Sequence, residues 1–256
     1  MALMAFFWSA ALPLVETITF DHLREDSARY SRIRVWGSVG FIVAVMGMGR
    51  ILDYLPLPAL LWGCVAMLAG ILLLAMLMPE AALHVAGADA LPIAEVLAQP
   101  RVRALLAACF AMSVAHGALY VFYSIHLAAN GYGNTAIGAL WSLGVLAEIG
   151  IFMGMSRLMR RYGLRTLLLA CFAAAVLRFL MIGWGVESLL LVVIAQLLHG
   201  LTFGAYHAAS IAAINQWFPG RCQARGQALY SSLSFGAGGL CCGLFSGGAW
   251  NALGAA

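Results

Sequence analysis

Eight ionisable side chains lie within otherwise apolar stretches of the sequence, and these are the residues that could do chemistry. They are Glu16, Arg34, His116, His126, Glu148, Arg178, His199 and His207. Taking such a group out of water into hydrocarbon costs about 2.5–3.5 kcal/mol on insertion scales, so each one needs a partner or a function. An arginine can attract an organic acid, and a carboxyl group can carry a proton.

The acidic and basic members of this set form two candidate pairs. Glu16 and Arg34 lie near the same end of two consecutive apolar stretches, so an antiparallel hairpin brings them to similar depth. Glu148 and Arg178 flank an arginine-rich loop and fall within roughly 6 Å of each other in depth, at about 1.5 Å rise per residue. Each pair is either a static salt bridge that pins two helices or a functional site. Because burial favours the neutral acid and a nearby guanidinium favours the carboxylate, Glu148 can respond to conformation, as proton coupling requires.

Histidine and tyrosine side chains give a second candidate feature, the wall of a substrate cavity. His199 lies mid-stretch in QLLHGLTFGAYH, with Thr202 and Phe203 on its helical face. Tyr120 and Tyr123 lie at helical spacing on an earlier stretch. We predict that Tyr120, Tyr123 and His199 contact substrate; the alternative is packing between helices, which bury histidine and tyrosine for structural reasons.

The elements that must hold these residues are membrane-spanning helices. The chain has 256 residues, of which 64% are hydrophobic and 9% charged, and its mean hydropathy is +0.95. Lipid offers no hydrogen-bond partners to the backbone, so a span is a helix of about 20 apolar residues. We predict an all-α polytopic membrane protein. Its eight candidate spans are 2–20, 35–52, 57–78, 104–127, 135–156, 166–185, 188–213 and 227–250.

The loops predict the domain division and the orientation. The longest connection, 79–100, contains three prolines. We therefore expect 1–78 to be the last three helices of an N-terminal half, 79–100 a cytoplasmic middle loop, and 101–256 the first five helices of a C-terminal half. All 14 basic residues are arginine, and twelve of them fall on loops of one side. Since positive residues stay inside, that side is cytoplasmic in a bacterial-type inner membrane.

Other classes of function find little support in the sequence. No basic run suggests nucleic acid as a partner, and the six cysteines form no CxxC pair. There is no HExxH motif and no pair of histidines four residues apart, so we expect neither a metal nor a cofactor. An intramembrane enzyme, such as a lipid-modifying transferase, would need a convergent catalytic set that the sequence does not display.

One segment carries a specific resemblance. PLVETITFDHLREDSARYSRIRVWGSVGF is similar to the phenylpropionate permease-like branch of the major facilitator superfamily, and more distantly to lactose permease. The resemblance implies that Glu16 and Arg34 match a substrate-contacting pair. It also implies that Glu148, Arg178 and His199 match the glutamate, arginine and histidine of a proton and substrate network.

The same resemblance extends to a loop and includes three departures. In SRLMRRYGLR, the residues Arg157, Arg161, Gly163 and Arg165 look like the cytoplasmic gating motif of the superfamily, although Arg160 replaces its usual aspartate and Ser156 its usual glycine. Thr202 stands where the family has a second glutamate. The resemblance implies a twelve-helix fold of which this chain, truncated at both ends, carries about eight helices.

Together these features predict a secondary active transporter. We expect proton symport of a small organic substrate, either an aromatic acid such as 3-phenylpropionate or a sugar-like solute, by alternating access of two halves. Arg34 would attract the substrate, Glu148 would carry the proton, and Arg178 and His199 would tune Glu148. The partners are then substrate, protons and the lipid bilayer, and the full-length form is expected to be a monomer. The alternatives are an intramembrane lipid-modifying enzyme and a fragment that is inactive in transport.

Overall fold

The computed structural model describes residues 27–77, 93–218 and 222–243, with side chains from residue 36 onward except those of residues 223 and 224. Every regular element in these ranges is a helix, which confirms the all-α prediction. The elements are α1 (Ser27–Leu52), α2 (Ala59–Leu77), α3 (Ile93–Ala98), α4 (Pro100–Ala129), α5 (Asn134–Trp184), α6 (Leu189–Leu197), α7 (Tyr206–Trp217) and α8 (Cys222–Ser231). Two π-helical segments complete the order: the first π-turn (Gly200–Ala205) lies between α6 and α7, and the second π-turn (Ser232–Gly238) follows α8.

Four of the described helical stretches are long and apolar enough to cross a membrane: Ala59–Leu77, Pro100–Ala129, Asn134–Trp184 and Leu189–Trp217. The third has 51 residues, far more than the roughly 20 that a span needs. It is broken at Gly163, whose φ of 73° and ψ of 161° are non-helical. Glycine adopts this positive φ without steric cost, so α5 contains two spans joined at the predicted loop.

The first compact unit contains residues 1–85 and 133–142. In it, α1 and the start of α5 approach backbone to backbone. A Cβ atom at Gly49 would lie 2.9 Å from the carbonyl oxygen of Asn134, and one at Gly138 would lie 3.0 Å from that of Val45. Only glycine allows helices to come this close without displacing one of them.

Polar contacts close the end of this helix pair. The Asn134 side chain donates to the carbonyl oxygen of Leu52 at 3.2 Å, and the Thr135 hydroxyl donates to the Asp53 carboxylate. The hydrogen bond from Thr135 holds the pKa of the exposed Asp53 carboxyl below its usual range. The loop after α1 is thereby tied to the first turn of α5.

The second compact unit contains residues 86–132 and 143–256. Its core is built on α4, α5, α7 and α8, and it too relies on small residues. A Cβ atom at Gly200 would lie 2.7 Å from the carbonyl oxygen of Ala147, and one at Gly204 would lie 3.0 Å from Cγ of Glu148. These two glycines, four residues apart, therefore allow the helices to approach closely. A Cβ atom at Gly150 would meet nothing within 4 Å among the described residues.

The domain boundaries at 79 and 100 stay a prediction. Residues 78–92, which contain most of the expected middle loop, lie outside the described residues. The first predicted span, 2–20, also lies outside them.

Candidate functional site

Arg178 is the centre of a polar cluster inside the second unit. Its side chain is 0% exposed. Nε donates to the carbonyl oxygen of Ala195 at 3.0 Å, Nη1 to the hydroxyl of Thr202 at 3.2 Å, and Nη2 to the amide oxygen of Gln196 at 3.4 Å. The guanidinium also contacts His116, with 3.4 Å between Nη1 and Nε2. We call Arg178, His116, Gln196 and Thr202 the Arg178 cluster; its members come from α4, α5, α6 and the first π-turn.

The hydrogen bonds of His116 determine which ring nitrogen carries the proton. Nδ1 lies 3.0 Å from the carbonyl oxygen of Met112, which can only accept, so Nδ1 is the donor. In the neutral ring Nε2 is then an acceptor, and the donor that faces it is Arg178. A doubly protonated ring would place two donors against each other. The cluster therefore holds His116 as the neutral Nδ1–H tautomer.

Glu148 lies on α5 and packs against residues 196–204, the segment that contains Gln196 and Thr202. It is buried, and its Cγ would meet a Cβ atom at Gly204 at 3.0 Å. One turn earlier, a Cβ atom at Gly144 would lie 2.9 Å from Oε1 of Gln196 and 3.2 Å from Cδ2 of His199. The face of α5 that carries Gly144 and Glu148 thus packs on residues 196–204. Arg178 donates hydrogen bonds to side chains of the same segment. The structure brings Glu148, Arg178 and His199 to one segment, and their role in proton coupling stays a prediction.

An aromatic stack continues along the helix from His199. The rings of His199 and Phe203 are parallel within 10° with centroids 5.3 Å apart, and those of Phe203 and His207 within 9° at 6.1 Å. Nδ1 of His207 is hydrogen-bonded to the hydroxyl of Tyr230 at 3.0 Å. Phe203 is therefore held between two imidazole rings.

Phe203 and His207 of this stack, together with His116 and Thr202 of the Arg178 cluster, border a cavity of about 150 Å³. Its described lining consists of aromatic rings, hydroxyl groups, imidazoles and small residues: Met112, Ser113, His116, Gly117, Tyr120, Thr202, Phe203, Tyr206, His207, Tyr230, Ser234, Phe235 and Gly239. No residue in this described lining carries a carboxylate or a guanidinium. Arg178 does not line the cavity, but its guanidinium contacts two residues that do, His116 and Thr202.

The other predicted site residues are placed as follows. Tyr120 borders the cavity, whereas Tyr123 is buried outside its described lining, and His199 stacks on Phe203. Glu16 lies outside the described residues, and so does the side chain of Arg34.

The predicted gating residues lie around the break in α5. Arg157 and Arg161 precede Gly163, and Arg165 follows it. The guanidinium of Arg161 lies over the ring of Tyr162 at 5.4 Å. The positive φ of Gly163 explains why a glycine stands at this position.

Sequence reasoning missed several lining residues. Ser113, Tyr230, Ser234 and Phe235 border the cavity, but nothing in their type or spacing distinguishes them in an apolar chain. Gln196 could have been found, because an amide within LLLVVIAQLL is itself a buried polar group. No group of three His, Cys, Asp or Glu residues in the described part of the chain could hold a metal ion.

Comparison with known proteins places this arrangement in a family. The sequence matches the MFS_1 like family over residues 1–256. The chain belongs to the MFS_1 like family. The resemblance to the major facilitator superfamily is therefore confirmed.

Two bacterial members and one solved structure illustrate the relationship. The chain is 32% identical over 234 residues to the "Probable 3-phenylpropionic acid transporter" of Escherichia coli, covering 90% of this chain and 61% of that protein. It is 26% identical to the "Maltose permease" of Geobacillus stearothermophilus, covering 96% of this chain and 62% of that protein. The crystal structure of the nucleoside transporter NupG matches with a TM-score of 0.69 at 20% identity, covering 93% of this chain and 64% of that one. The chain thus spans less than two thirds of the length of these relatives.

Proposed function

We propose that the full-length protein is a proton-coupled secondary transporter of a small aromatic acid such as 3-phenylpropionate, located in a bacterial inner membrane. The observation that carries this proposal is the fully buried Arg178, whose donors act on two groups of a cavity wall. A buried guanidinium in a membrane-spanning segment is costly, and such residues mark substrate or ion pathways.

The substrate class rests on one relative and on the cavity. The relative at 32% identity is named for 3-phenylpropionic acid. Phe203, Phe235 and Tyr230 give the cavity an aromatic lining that suits a phenyl ring. The described lining has no cation of its own. We assign attraction of the substrate carboxylate to Arg34, with Glu16 balancing its charge, as the family resemblance implies.

Proton coupling is assigned to Glu148. This carboxyl is buried against Gly204, in the segment that also bonds to Arg178. By the family resemblance, Thr202 stands where the family has a second glutamate, and it accepts a hydrogen bond from Arg178. A threonine hydroxyl does not release its proton, so Glu148, which packs on this segment from α5, is the carboxyl that remains for the coupling role.

Alternating access would then move the substrate from one side to the other. We assign the cytoplasmic gate to Arg157, Arg161, Gly163 and Arg165, and the cytoplasmic side to the arginine-rich loops. The break at Gly163 turns the chain between two spans within a single residue of non-helical backbone.

A sugar-like solute is the second candidate substrate. One relative is named a maltose permease, and the residues that border the cavity include Ser113, Ser234 and Thr202. Hydroxyl groups can recognise sugars by hydrogen bonding, and maltose is therefore included in the test.

The test is uptake of labelled 3-phenylpropionate and labelled maltose by cells that express the full-length protein. We expect protonophore-sensitive accumulation of 3-phenylpropionate only. Glu148→Gln should reduce this accumulation at least tenfold, because an amide cannot take up the proton. The exposed Glu187→Gln is the matched control and should behave like the unmodified protein. Cells that express only the 256-residue chain should show no uptake.

Two results would contradict the proposal. If neither the protonophore nor the Glu148→Gln substitution lowers the rate of uptake, proton coupling through this residue is excluded. Uptake of maltose without uptake of 3-phenylpropionate would replace the aromatic acid by the sugar.

A further inference from the structure

Four exposed arginines surround the break in α5, and we call them the arginine turn: Arg157, Arg160, Arg161 and Arg165. The sequence contains no aspartate or glutamate between Glu148 and Glu187. Within the described part of the chain, none of the four arginines forms a salt bridge. Their positive charge is therefore not neutralised by any described residue.

Three members of the arginine turn share one side of the helix before the break. Arg157 and Arg161 are four residues apart, with Arg160 between them, so they project from one face within about 6 Å along the helix axis. Met155 and Met159 lie on the opposite face and pack in the core of the second unit. The three guanidinium groups therefore point away from the protein interior.

An exposed apolar stripe leads to the arginine turn along each of the two spans of α5. The stripe residues are Leu146 and Met153 before Arg157, and Leu169 and Val176 after Arg165. At about 100° per residue, each of them lies within about 40° of its arginine around the helix axis. Their side chains are between 54% and 85% exposed. Apolar side chains exposed to this extent on a membrane-spanning segment face the acyl chains of lipid, so both stripes end in arginine where the acyl chains meet the headgroups.

The chemistry of this position matches a lipid headgroup. A guanidinium binds phosphate oxygens through two parallel hydrogen bonds, and clusters of four or more basic residues next to a membrane span are typical of binding to anionic lipid. Tyr162, which is 51% exposed, adds an aromatic ring of the kind that is enriched at headgroup level. A free phosphate ion would satisfy the arginines but would leave the two apolar stripes without a partner.

We propose that the arginine turn binds the headgroup of an anionic phospholipid such as phosphatidylglycerol, with the acyl chains lying along the two apolar stripes. The net negative charge of this headgroup complements the uncompensated arginines. The choline headgroup of phosphatidylcholine carries its own positive charge and does not complement them. The lipid site involves the loop assigned to the cytoplasmic gate, but it does not rest on the transport function.

The site can be tested by native mass spectrometry of the purified full-length protein, titrated with dioleoylphosphatidylglycerol or dioleoylphosphatidylcholine. We expect the anionic lipid to bind at least tenfold more tightly. Changing Arg157, Arg160 and Arg161 together to glutamine should reduce this preference to less than twofold. Equal binding of the two lipids by the unmodified protein would overturn the proposal.

A matched control removes the same charge elsewhere on the surface. Arg50, Arg101 and Arg103 are exposed and lie outside the arginine turn, and Arg101 is already engaged by Gln99 and by the ring of Trp217. Changing these three arginines together to glutamine should keep the preference for the anionic lipid. An equal preference in the two triple variants would show that the arginine turn is not the site.

A single substitution guards against a triple variant that folds poorly. Arg160→Glu is exposed, and glutamate is a good helix former, so thermal unfolding should stay unchanged. The new carboxylate pairs with the neighbouring arginines and repels phosphate, so the affinity for phosphatidylglycerol should fall at least fivefold. Arg103→Glu should lower it less than twofold. A folded Arg160→Glu protein with full affinity would overturn the site.

A soluble competitor distinguishes a lipid from a free phosphate. sn-Glycerol 3-phosphate carries the phosphate group without acyl chains. We expect an excess of it to displace only a minor part of the bound phosphatidylglycerol, because contact of the acyl chains with the two stripes also contributes to binding. Complete displacement would overturn lipid as the ligand in favour of a soluble phosphate.

The lipid site and the transport function can fail separately. If phosphatidylglycerol binds at the arginine turn but 3-phenylpropionate is not taken up, the lipid site stands and the transport proposal is wrong. If 3-phenylpropionate is taken up but the two lipids bind equally, only the lipid site is wrong.

Discussion

Arg178 shows how one side chain can organise a site that it does not line. Its guanidinium offers donors in a rigid planar fork, and the structure directs them to a backbone carbonyl, an amide oxygen and a hydroxyl. The same group also faces Nε2 of His116. The fork thereby fixes the orientation of Thr202 and the tautomer of His116, which do face the cavity.

Arg178→Lys tests this geometric role, because it keeps the positive charge and removes the fork. A lysine ammonium cannot serve all of these acceptors, so we expect a loss of about 2 kcal/mol in stability and at least a tenfold loss of uptake. Thermal unfolding of the purified full-length protein and cellular uptake are the measurements. Arg103→Lys, on the exposed surface of α4, is the control. Equal behaviour of the two variants would show that Arg178 acts by charge alone.

Sequence reasoning at this scale succeeds where residue type alone is informative. Glu148, Arg178 and His199 stand out because ionisable groups are rare in apolar stretches, and the structure brings them to one segment. Ser234 does not stand out, because serine is common in membrane helices and only the fold places it at the cavity. The tautomer of His116 likewise depends on distances that no pattern encodes.

At the scale of elements, the helices themselves follow from hydropathy, and the break in α5 follows from the arginine-rich loop with its glycine. The two π-turns do not follow from either signal. Each is a local widening of the helix at the cavity, and π-helical turns of this kind are frequent at functional sites. Thr202 and Phe203 lie in one π-turn, and Ser234 and Phe235 lie in the other.

Gly200 and Gly204 pack closely against α5, and their contribution to stability can be tested by substitution. Gly200→Ala places a methyl group 2.7 Å from the carbonyl oxygen of Ala147, so the helices must separate. We expect a loss of about 1–3 kcal/mol. Gly150→Ala is the matched control, since nothing described lies within 4 Å of its added Cβ atom. It should be neutral or gain up to about 1 kcal/mol from helix propensity. Thermal unfolding compares the two, and equal destabilisation would show that the close approach does not limit stability.

At the scale of the whole molecule, the all-α class could be predicted from composition, and the family from one segment that resembles it. Which contacts tie the ends of α1 and α5 together could not be predicted. That contact depends on two glycines and on Asp53 and Thr135, residues that are far apart in the chain.

Orientation in the membrane is a testable property of the whole protein. If the arginine-rich loops are cytoplasmic, Tyr162→Cys should react with a membrane-impermeant maleimide only after the cells are permeabilised. Glu187→Cys, one span further along the chain, should react in intact spheroplasts. Both side chains are exposed in the structure, and the native cysteines are first replaced by serine because Cys64 is also exposed. The reverse labelling pattern would invert the proposed topology.

The two π-turns also affect how this chain can be compared with others. An extra residue in a turn rotates everything that follows by about 100° relative to an uninterrupted α-helix. A relative that lacks the insertion would keep the same side chains on the same face only if an alignment opens a one-residue gap within Gly200–Ala205 or Ser232–Gly238. An alignment without that gap would pair His207 or Gly239 with residues on a different helical face of the relative. The aligned residues would then differ in type even if both proteins have the same cavity.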